Sequence, residues 1–244
     1  MSCAGAGAFS EDVEAASARD GATIRLRDGR EVRLAGVVAA SGLDGDAAAI
    51  EQAKGSLGAA VSGKRLTLYS ARHGTDRYGR LVAQITVKED TPRWVQADLV
   101  SAGWLRVAPE ASEAACAASL LPFEAQARRG RRGLWQDANF AVGQANDLAA
   151  LNAAVGRFAV VEGIVRHVGE TSSRTYLDFG RRYREDFSIV IPRAARAEFA
   201  AAGINLKDLR GQRVRVRGVL FSSGGPAIEI RKPASLEILK GGGA

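Results

Sequence analysis

Apolar residues in this chain come in short alternating runs punctuated by glycine, a pattern that reads as half-buried strands. Thr23–Leu26, Arg65–Tyr69 and Leu81–Val87 each place apolar side chains at about every second position. Asp28-Gly29 sits between two such runs and signals a hairpin turn. Trp94–Val100 changes to helical spacing, and Gly103 marks its end. At 244 residues the chain suits two modest domains, and 46% hydrophobic residues suffice for a core in each. No run of about 18 apolar residues occurs, so the sequence contains no membrane span.

The second half repeats the theme. Val160–Val165, Thr175–Gly180, Phe187–Pro192, Leu209–Gly218 and Ala227–Ile230 read as strands, with a helical segment around Ala194–Ala202 between the third and the fourth. Five alternating strands with a helix in that place look like an OB-fold barrel. A likeness of fold carries no function with it. The alanine-rich stretch Gln144–Val155 reads as a linker or connecting helix. The expected organisation is an N-terminal segment over 1–17, a first domain over 18–140, a linker over 141–156 and an OB-fold-like domain over 157–240.

The first domain carries a more specific signal. Thr75-Asp76-Arg77-Tyr78-Gly79-Arg80 is read together with Arg33-Leu34 upstream and Gly133-Leu134-Trp135 downstream. Asp20-Gly21-Ala22-Thr23, Ile50-Glu51-Gln52-Ala53, Gly63–Leu68 and Glu124-Ala125-Gln126-Ala127 fall in the same order. Together these pieces resemble the staphylococcal-nuclease-like (thermonuclease) domain over roughly residues 18–140. The resemblance implies a five-stranded barrel with flanking helices. The expected fold class is therefore mainly β with flanking helices (α+β): an OB-fold thermonuclease-like β-barrel followed by a second OB-fold-like barrel. It also implies that Arg80 and Arg33 contact the scissile phosphate, with Asp76 and Tyr78 as scaffolding for the Arg80 loop.

The departures from the family bear on activity. Ala22 stands where the family has the second aspartate of Asp-Gly-Asp-Thr, and Val38, Ala39, Ala40 and Ser41 stand where it has an aspartate ligand and a glutamate base. Calcium takes oxygen ligands, and its affinity depends on the number of carboxylates around it. A positioned carboxylate base contributes about 10²–10⁴ in rate, and Ser41 is no base at neutral pH. Two arginines alone can grip phosphate oxygens through forked donors. The expectation is a catalytically degenerate protein with no cofactor. Calcium enters only if Asp44, Asp46 or Glu51, with Asp20 nearby, supply relocated carboxylates; the competing reading makes Leu43–Asp46 a turn whose aspartate caps a helix.

Charge separates the halves. Residues 1–140 hold 18 Lys/Arg against 17 Asp/Glu, and residues 141–244 hold 16 against 10. A basic barrel face is the footprint expected for phosphate-backbone binding. Arg181, Arg182, Tyr183 and Arg184 could clamp backbone and stack a base, although Glu185-Asp186 beside them dilute the charge. Arg213, Arg215 and Arg217 alternate with valines and share one sheet face, either as a binding stripe or as the wet side of a strand. Arg128-Arg129-Gly130-Arg131-Arg132 reads as solvated surface.

Two histidines, His73 and His167, and two cysteines, Cys3 and Cys116, provide no zinc spacing. The cysteines could bridge the N-terminus to the last helix of the first domain in an oxidising compartment. Met1–Ala8 shows neither a charged n-region nor a full apolar h-region. Cys3-Ala4-Gly5, however, looks like the start of a chain just after a cleavage site, which leaves cytoplasm and periplasm open. Trp94, Trp104 and Trp135 read as core. Three functions remain: binding of nucleic acid or another phosphate-rich or acidic partner through paired barrels, metal-dependent phosphodiester cleavage, and a protein-interaction scaffold.

Overall fold

A computed structural model describes residues 9–42, 45–70, 75–109, 114–180 and 185–239. The chain divides into two compact units, Met1–Asn139 and Phe140–Ala244.

In the first unit the elements run in the order β1 (Phe9–Asp20), β2 (Thr23–Leu26), β3 (Glu31–Leu34), β4 (Val37–Ala39), α1 (Ala47–Val61), β5 (Arg65–Ser70), β6 (Leu81–Val87), β7 (Arg93–Trp94), α2 (Val95–Ser101), β8 (Leu105–Val107) and α3 (Ala114–Arg129). The sheet runs β3-β2-β1-β5-β6-β7, and a parallel pairing of β3 with β6 joins its ends. Strands β1, β2, β3, β6 and β5 thereby form a closed five-stranded barrel. Ala15, Ile24, Leu26, Val32, Leu34, Leu66, Leu68, Ala83, Ile85 and Val87 are all buried. Closure leaves few unpaired strand edges, which open sheets must protect by other means.

Two expectations change here. Residues 9–17, expected to lie in an N-terminal segment, are part of β1, which begins at Phe9, pairs with β5 through Phe9–Glu14 and bends to pair with β2 through Ala15–Asp20; residues 1–8 lie outside the described residues. Its polar sequence shows no clean alternation, because cross-strand pairing on both sides holds it. Strand β6 is covered on both faces rather than one. Gln96 of α2, fully buried, donates Nε2 to the Ala83 carbonyl at 2.9 Å and accepts the Ile85 amide at 3.1 Å. Gln84 accepts from Trp94 Nε1 at 2.9 Å. These bonds satisfy amides that burial would otherwise leave without partners.

The Asp28-Gly29 hairpin forms as read: Gly29 has φ +90° and Asp28 Oδ1 accepts the Arg30 amide at 2.9 Å. Gly103 does end α2, at φ +84°. Its second role is close packing: a Cβ there would lie 2.1 Å from the Arg132 carbonyl oxygen, and Leu134 N donates to Gly103 O at 3.0 Å. The Gly133-Leu134-Trp135 turn is thus docked backbone to backbone, and Leu134 and Trp135 are buried behind it.

The second unit contains β9 (Gly143–Gln144), α4 (Leu148–Ala153), β10 (Phe158–Ile164), β11 (His167–Glu170), β12 (Arg174–Asp178), β13 (Ser188–Pro192), α5 (Arg196–Ala201), β14 (Arg213–Ser223), β15 (Gly225–Glu229) and β16 (Leu236–Leu239). The strand order is β11-β12-β13-β15-β14-β10-β9, with β16 against β14. Only Val165 and Arg166 separate β10 from β11, so the β11 end of this path is covalently continuous with β10 near its other end. The core includes Val161, Leu177, Phe187, Ile189, Phe199, Val214, Val216 and Ile228. Residues 141–156, expected to be a linker, belong to this unit: β9 pairs in parallel with β10, and Ala145 and Leu151 enter the core. Leu148 and Leu151, three apart, give the short α4 an apolar side that the alanines around them mask. No helix among the described residues is long and apolar enough to cross a membrane.

Gly103→Ala should destabilise the first unit by about 1–3 kcal/mol or more, since it combines left-handed strain with a backbone clash. A lowered urea midpoint, with the far-ultraviolet circular dichroism of the folded state preserved, is the expected result.

Candidate functional site

The Thr75–Arg80 segment forms a tight loop organised by Asp76. Asp76 Oδ1 accepts the backbone amides of Tyr78 at 2.9 Å and Arg80 at 3.1 Å, and Oδ2 accepts Arg80 Nε at 2.9 Å and Nη2 at 2.6 Å. Gly79 turns the chain at φ +78°. Burial works to raise the Asp76 carboxyl, but bonds from the Arg80 side chain and from the Arg80 and Tyr78 amides hold it below its ordinary value. Tyr78 is 64% exposed, with the guanidinium carbons of Arg77 and Arg80 lying 4.7 and 5.0 Å from its ring centroid. Such contacts contribute about 0.5–1 kcal/mol each at an exposed site. The loop therefore presents an aromatic ring flanked by two cations. Arg80 spends Nε and Nη2 on Asp76, and the guanidinium has five N–H donors in all.

Arg33 lies on β3, paired with Val82, while its neighbour Val32 pairs with Leu81. The β3–β6 seam thus brings the Arg33 strand alongside the residues just after Arg80. Arg33 is half-buried and turned toward backbone: Nη2 donates to Val37 O at 2.8 Å, and Nη1 to Ala22 O at 3.3 Å and Leu34 O at 3.4 Å. Ala22, which stands where the family has a metal ligand, is thus tied to Val37, the residue before the second such position, by an arginine. The floor around them is small and apolar, with Ala22, Ala39, Ala40 and Ala53 all buried and a Cβ on Gly21 only 2.8–2.9 Å from the Ala39 and Ala53 methyls. These residues do not fit calcium, which needs several oxygen ligands and gains nothing from a guanidinium among them.

The substitute carboxylates have local work. Asp20 Oδ1 accepts the Ala22 amide at 2.7 Å. Asp46 is the N-cap of α1, accepting the Ala49 amide at 2.7 Å. Glu51 is exposed and lies 3.8 Å from Lys54 Nζ. Ser41 sits in a short 3-10 turn, Ala40–Gly42. Asp44 lies outside the described residues, as do Cys3 and His73. Among the described residues there is no group of three or more His, Cys, Asp or Glu that could hold a metal ion.

In the second unit Arg213, Arg215 and Arg217 share a face of β14, which is met by carboxylates. Register places Arg215 between Glu162 on β10 and Glu237 on β16. Arg213 Nε and Arg215 Nη2 each reach Glu162 at 2.7 Å; Arg215 Nη1 is 3.5 Å from Glu237, and Arg217, fully buried, also donates to Glu237. The three form an ion-pair ladder with Glu162 and Glu237, exposed at Arg213 and buried at Arg217. Burial works to raise Glu162, and the Arg215 and Arg213 bonds hold it below its ordinary value of 4.5. Arg181, Arg182, Tyr183 and Arg184 lie outside the described residues.

Other motif residues are structural. Glu124, fully buried, accepts the Val107 amide at 2.8 Å, and the Arg106 guanidinium lies 3.8 Å from the Trp135 ring centroid. Trp94 meets Phe123 edge to face at 6.4 Å. Cys116 is buried and disulfide-bonded. One feature escapes the sequence reading: a cleft of about 240 Å³ on the second unit, lined by Arg174, Tyr176 and Asp178 of β12, by Asp186, by Ser188 and Val190 of β13, and by Ser223 and Gly225–Ala227 of the β14–β15 hairpin. Its signal was the alternation Arg174, Tyr176, Asp178 opposite the buried Thr175 and Leu177.

A closed five-stranded barrel with flanking helices, an Asp76-braced arginine loop and a second arginine on the adjoining strand together define a nuclease-type barrel. Residues 31–137 match the family model described as staphylococcal nuclease homologue, and this part of the chain is an SNase-like domain. Such a domain suggests a nuclease-family or nucleic-acid-binding protein. No curated protein matches the chain.

Glu162→Gln should destabilise the second unit by about 1.5–3 kcal/mol, the range for hydrogen bonds to charged groups. Because the Glu162 carboxyl is held low in the folded state, its contribution is complete above about pH 4.5 and is lost as pH falls through the lowered value. Unfolding midpoints measured from pH 7 down to pH 3 should show a shallower acid loss in the variant than in the parent.

Proposed function

We propose that the protein binds nucleic acid, or a ligand offering the same closely spaced phosphates, without cleaving it. The single observation that carries this reading is the floor of buried alanines beside Arg33, whose guanidinium donates to the Ala22 and Val37 carbonyls. Where a cleaving site would assemble carboxylates around a cation, this floor offers only methyl groups. Water would then have neither a metal nor a carboxylate to activate it, and the reaction loses its largest chemical contributions.

Binding falls instead to the tip of the Arg80 loop. Arg77 and Arg80 flank an exposed tyrosine, the arrangement suited to phosphate contact beside a stacked base. The Nη1 side of Arg80 keeps its donors, and the Asp76 pair fixes its direction, so little side-chain entropy is lost on contact. For the second unit we adopt an OB-fold-like reading, supported by antiparallel β10–β14, β12–β13 and β14–β15 pairs, a parallel β13–β15 pair and a helix between β13 and β14.

Labelled single-stranded DNA and RNA, incubated with the protein in calcium and in chelator, should remain intact in both. The same substrates should be shifted on a native gel at low salt, with affinity falling linearly in log–log form as salt rises, and Arg80→Ala should weaken the shift. Calcium-dependent cleavage that disappears in an Arg33→Ala/Arg80→Ala protein would overturn the proposal in favour of a nuclease. Intact and unshifted substrate would overturn it in favour of a protein scaffold.

A further inference from the structure

The cleft on the second unit has a divided chemistry. Strand register sets Tyr176 beside Val190, and Asp178 beside Ser188 and then Ala227, so an aromatic and apolar floor gives way to a polar wall within one residue pair. On that wall Asp178 accepts from Ser188 Oγ at 2.8 Å and lies 3.3 Å from His167 Nδ1. Ser188 thus serves the carboxylate, and His167 does not reach the hydroxyl as a general base would. The arrangement is one of hydrogen-bonding recognition, not nucleophilic attack. At about 240 Å³ the space falls below the roughly 300–1,000 Å³ of pockets for drug-sized ligands.

Some cations of this unit are spent on ion pairs: Arg196, Arg213, Arg215, Arg231 and Lys232 are each paired with a glutamate. Arg166, Arg174 and Arg193, like Lys207 and Arg210, are exposed and make no ion pair among the described residues. The first three stand at the ends of β12: Arg174 opens the strand, the Arg193 amide donates to Ser173 O at 2.8 Å, and the Arg166 amide donates to Asp178 O at 2.8 Å. Unspent positive charge therefore stands at both ends of a five-residue strand, about 13 Å apart at 3.3 Å per residue, with an aromatic between them.

We propose that this cleft takes one base of a single-stranded nucleic acid whose backbone runs along β12. The proposal rests on the nucleic-acid reading above and adds a second, separate contact. Carboxylates at the wall repel phosphate, so the charged backbone stays outside with Arg174, Arg193 and Arg166, while the base enters and stacks on Tyr176. A carboxylate accepts hydrogen bonds and donates none, so Asp178 selects bases carrying an exocyclic amino group, cytosine above all, over thymine or uracil.

Fluorescence anisotropy with labelled dC12 and dT12, carried out in the Arg80→Ala background, isolates this contact from the loop of the first unit. The expected result is residual salt-dependent binding, about 5-fold or more in favour of dC12. Tyr176→Ala and Arg174→Ala should each weaken it, the tyrosine change by about 5- to 150-fold. Tyr176→Phe, which retains the ring, should recover most of what Tyr176→Ala loses and so separates stacking from misfolding. If Arg80→Ala abolishes binding that the parent protein shows, or if Tyr176→Ala leaves the residual binding unchanged, the cleft is overturned while the broader reading stands. Equal affinity for dC12 and dT12 overturns the role given to Asp178. A parent protein that binds neither oligonucleotide overturns both readings.

Discussion

The parallel pairing of β3 with β6 is the constraint on which the first unit depends. It joins the two ends of a five-stranded path, and three backbone partners, Val32 with Leu81, Arg33 with Val82 and Leu34 with Ala83, suffice to close it. Parallel pairing this short would be weak alone, but it is locked from both sides. Gln96 clamps the Ala83 and Ile85 backbone from α2, and Arg33 ties β3 forward to Val37 at the start of β4. The same seam aligns the Arg80 loop with Arg33. The candidate site is thus a by-product of barrel closure, and any change that opens the seam would disperse it.

Arginine pairing explains why a charge count locates a partner only loosely. The second unit's surplus of positive residues suggests a basic face, and the most regular group, Arg213, Arg215 and Arg217, is the natural choice from sequence. Strand register decides otherwise, because β10 and β16 flank β14 and bring Glu162 and Glu237 level with Arg215. These two glutamates are 53 and 22 positions away in sequence, and nothing local to β14 announces them. Among the cations left over, those at 166, 174 and 193 are scattered in sequence and are brought to the two ends of β12 by backbone hydrogen bonds.

Much of the fold was legible because burial on one face writes itself as alternation. β2, β5, β6, β12, β13 and β15 emerge from their period, and the helix α2 from its change of period and terminal Gly103. Elements that do not depend on their own apolar pattern were misread. β1 is polar over most of its length and is held by ladders to β2 and β5, and α4 hides two packing leucines among alanines that also suit a linker. Among candidate site residues, the Asp76–Arg80 brace was legible through the family resemblance, whose hexapeptide carries all its parts within five residues. Arg33's engagement with carbonyls and the cleft beside Tyr176 were not, since both are made by residues distant in sequence.

The alanine floor of the first unit bears on the proposed absence of catalysis. An aspartate at position 22 would replace a buried methyl on a residue whose carbonyl the Arg33 guanidinium already holds, and a buried carboxylate close to an arginine is stabilised as an ion pair. A second carboxylate in place of Val38 and a base near Ser41 would still be required, and the neighbours Ala39, Ala40 and Ala53 leave the floor no slack, as the close approach at Gly21 shows. The small side chains of this floor make room for one another, and Arg33 ties the strands around it together through backbone carbonyls.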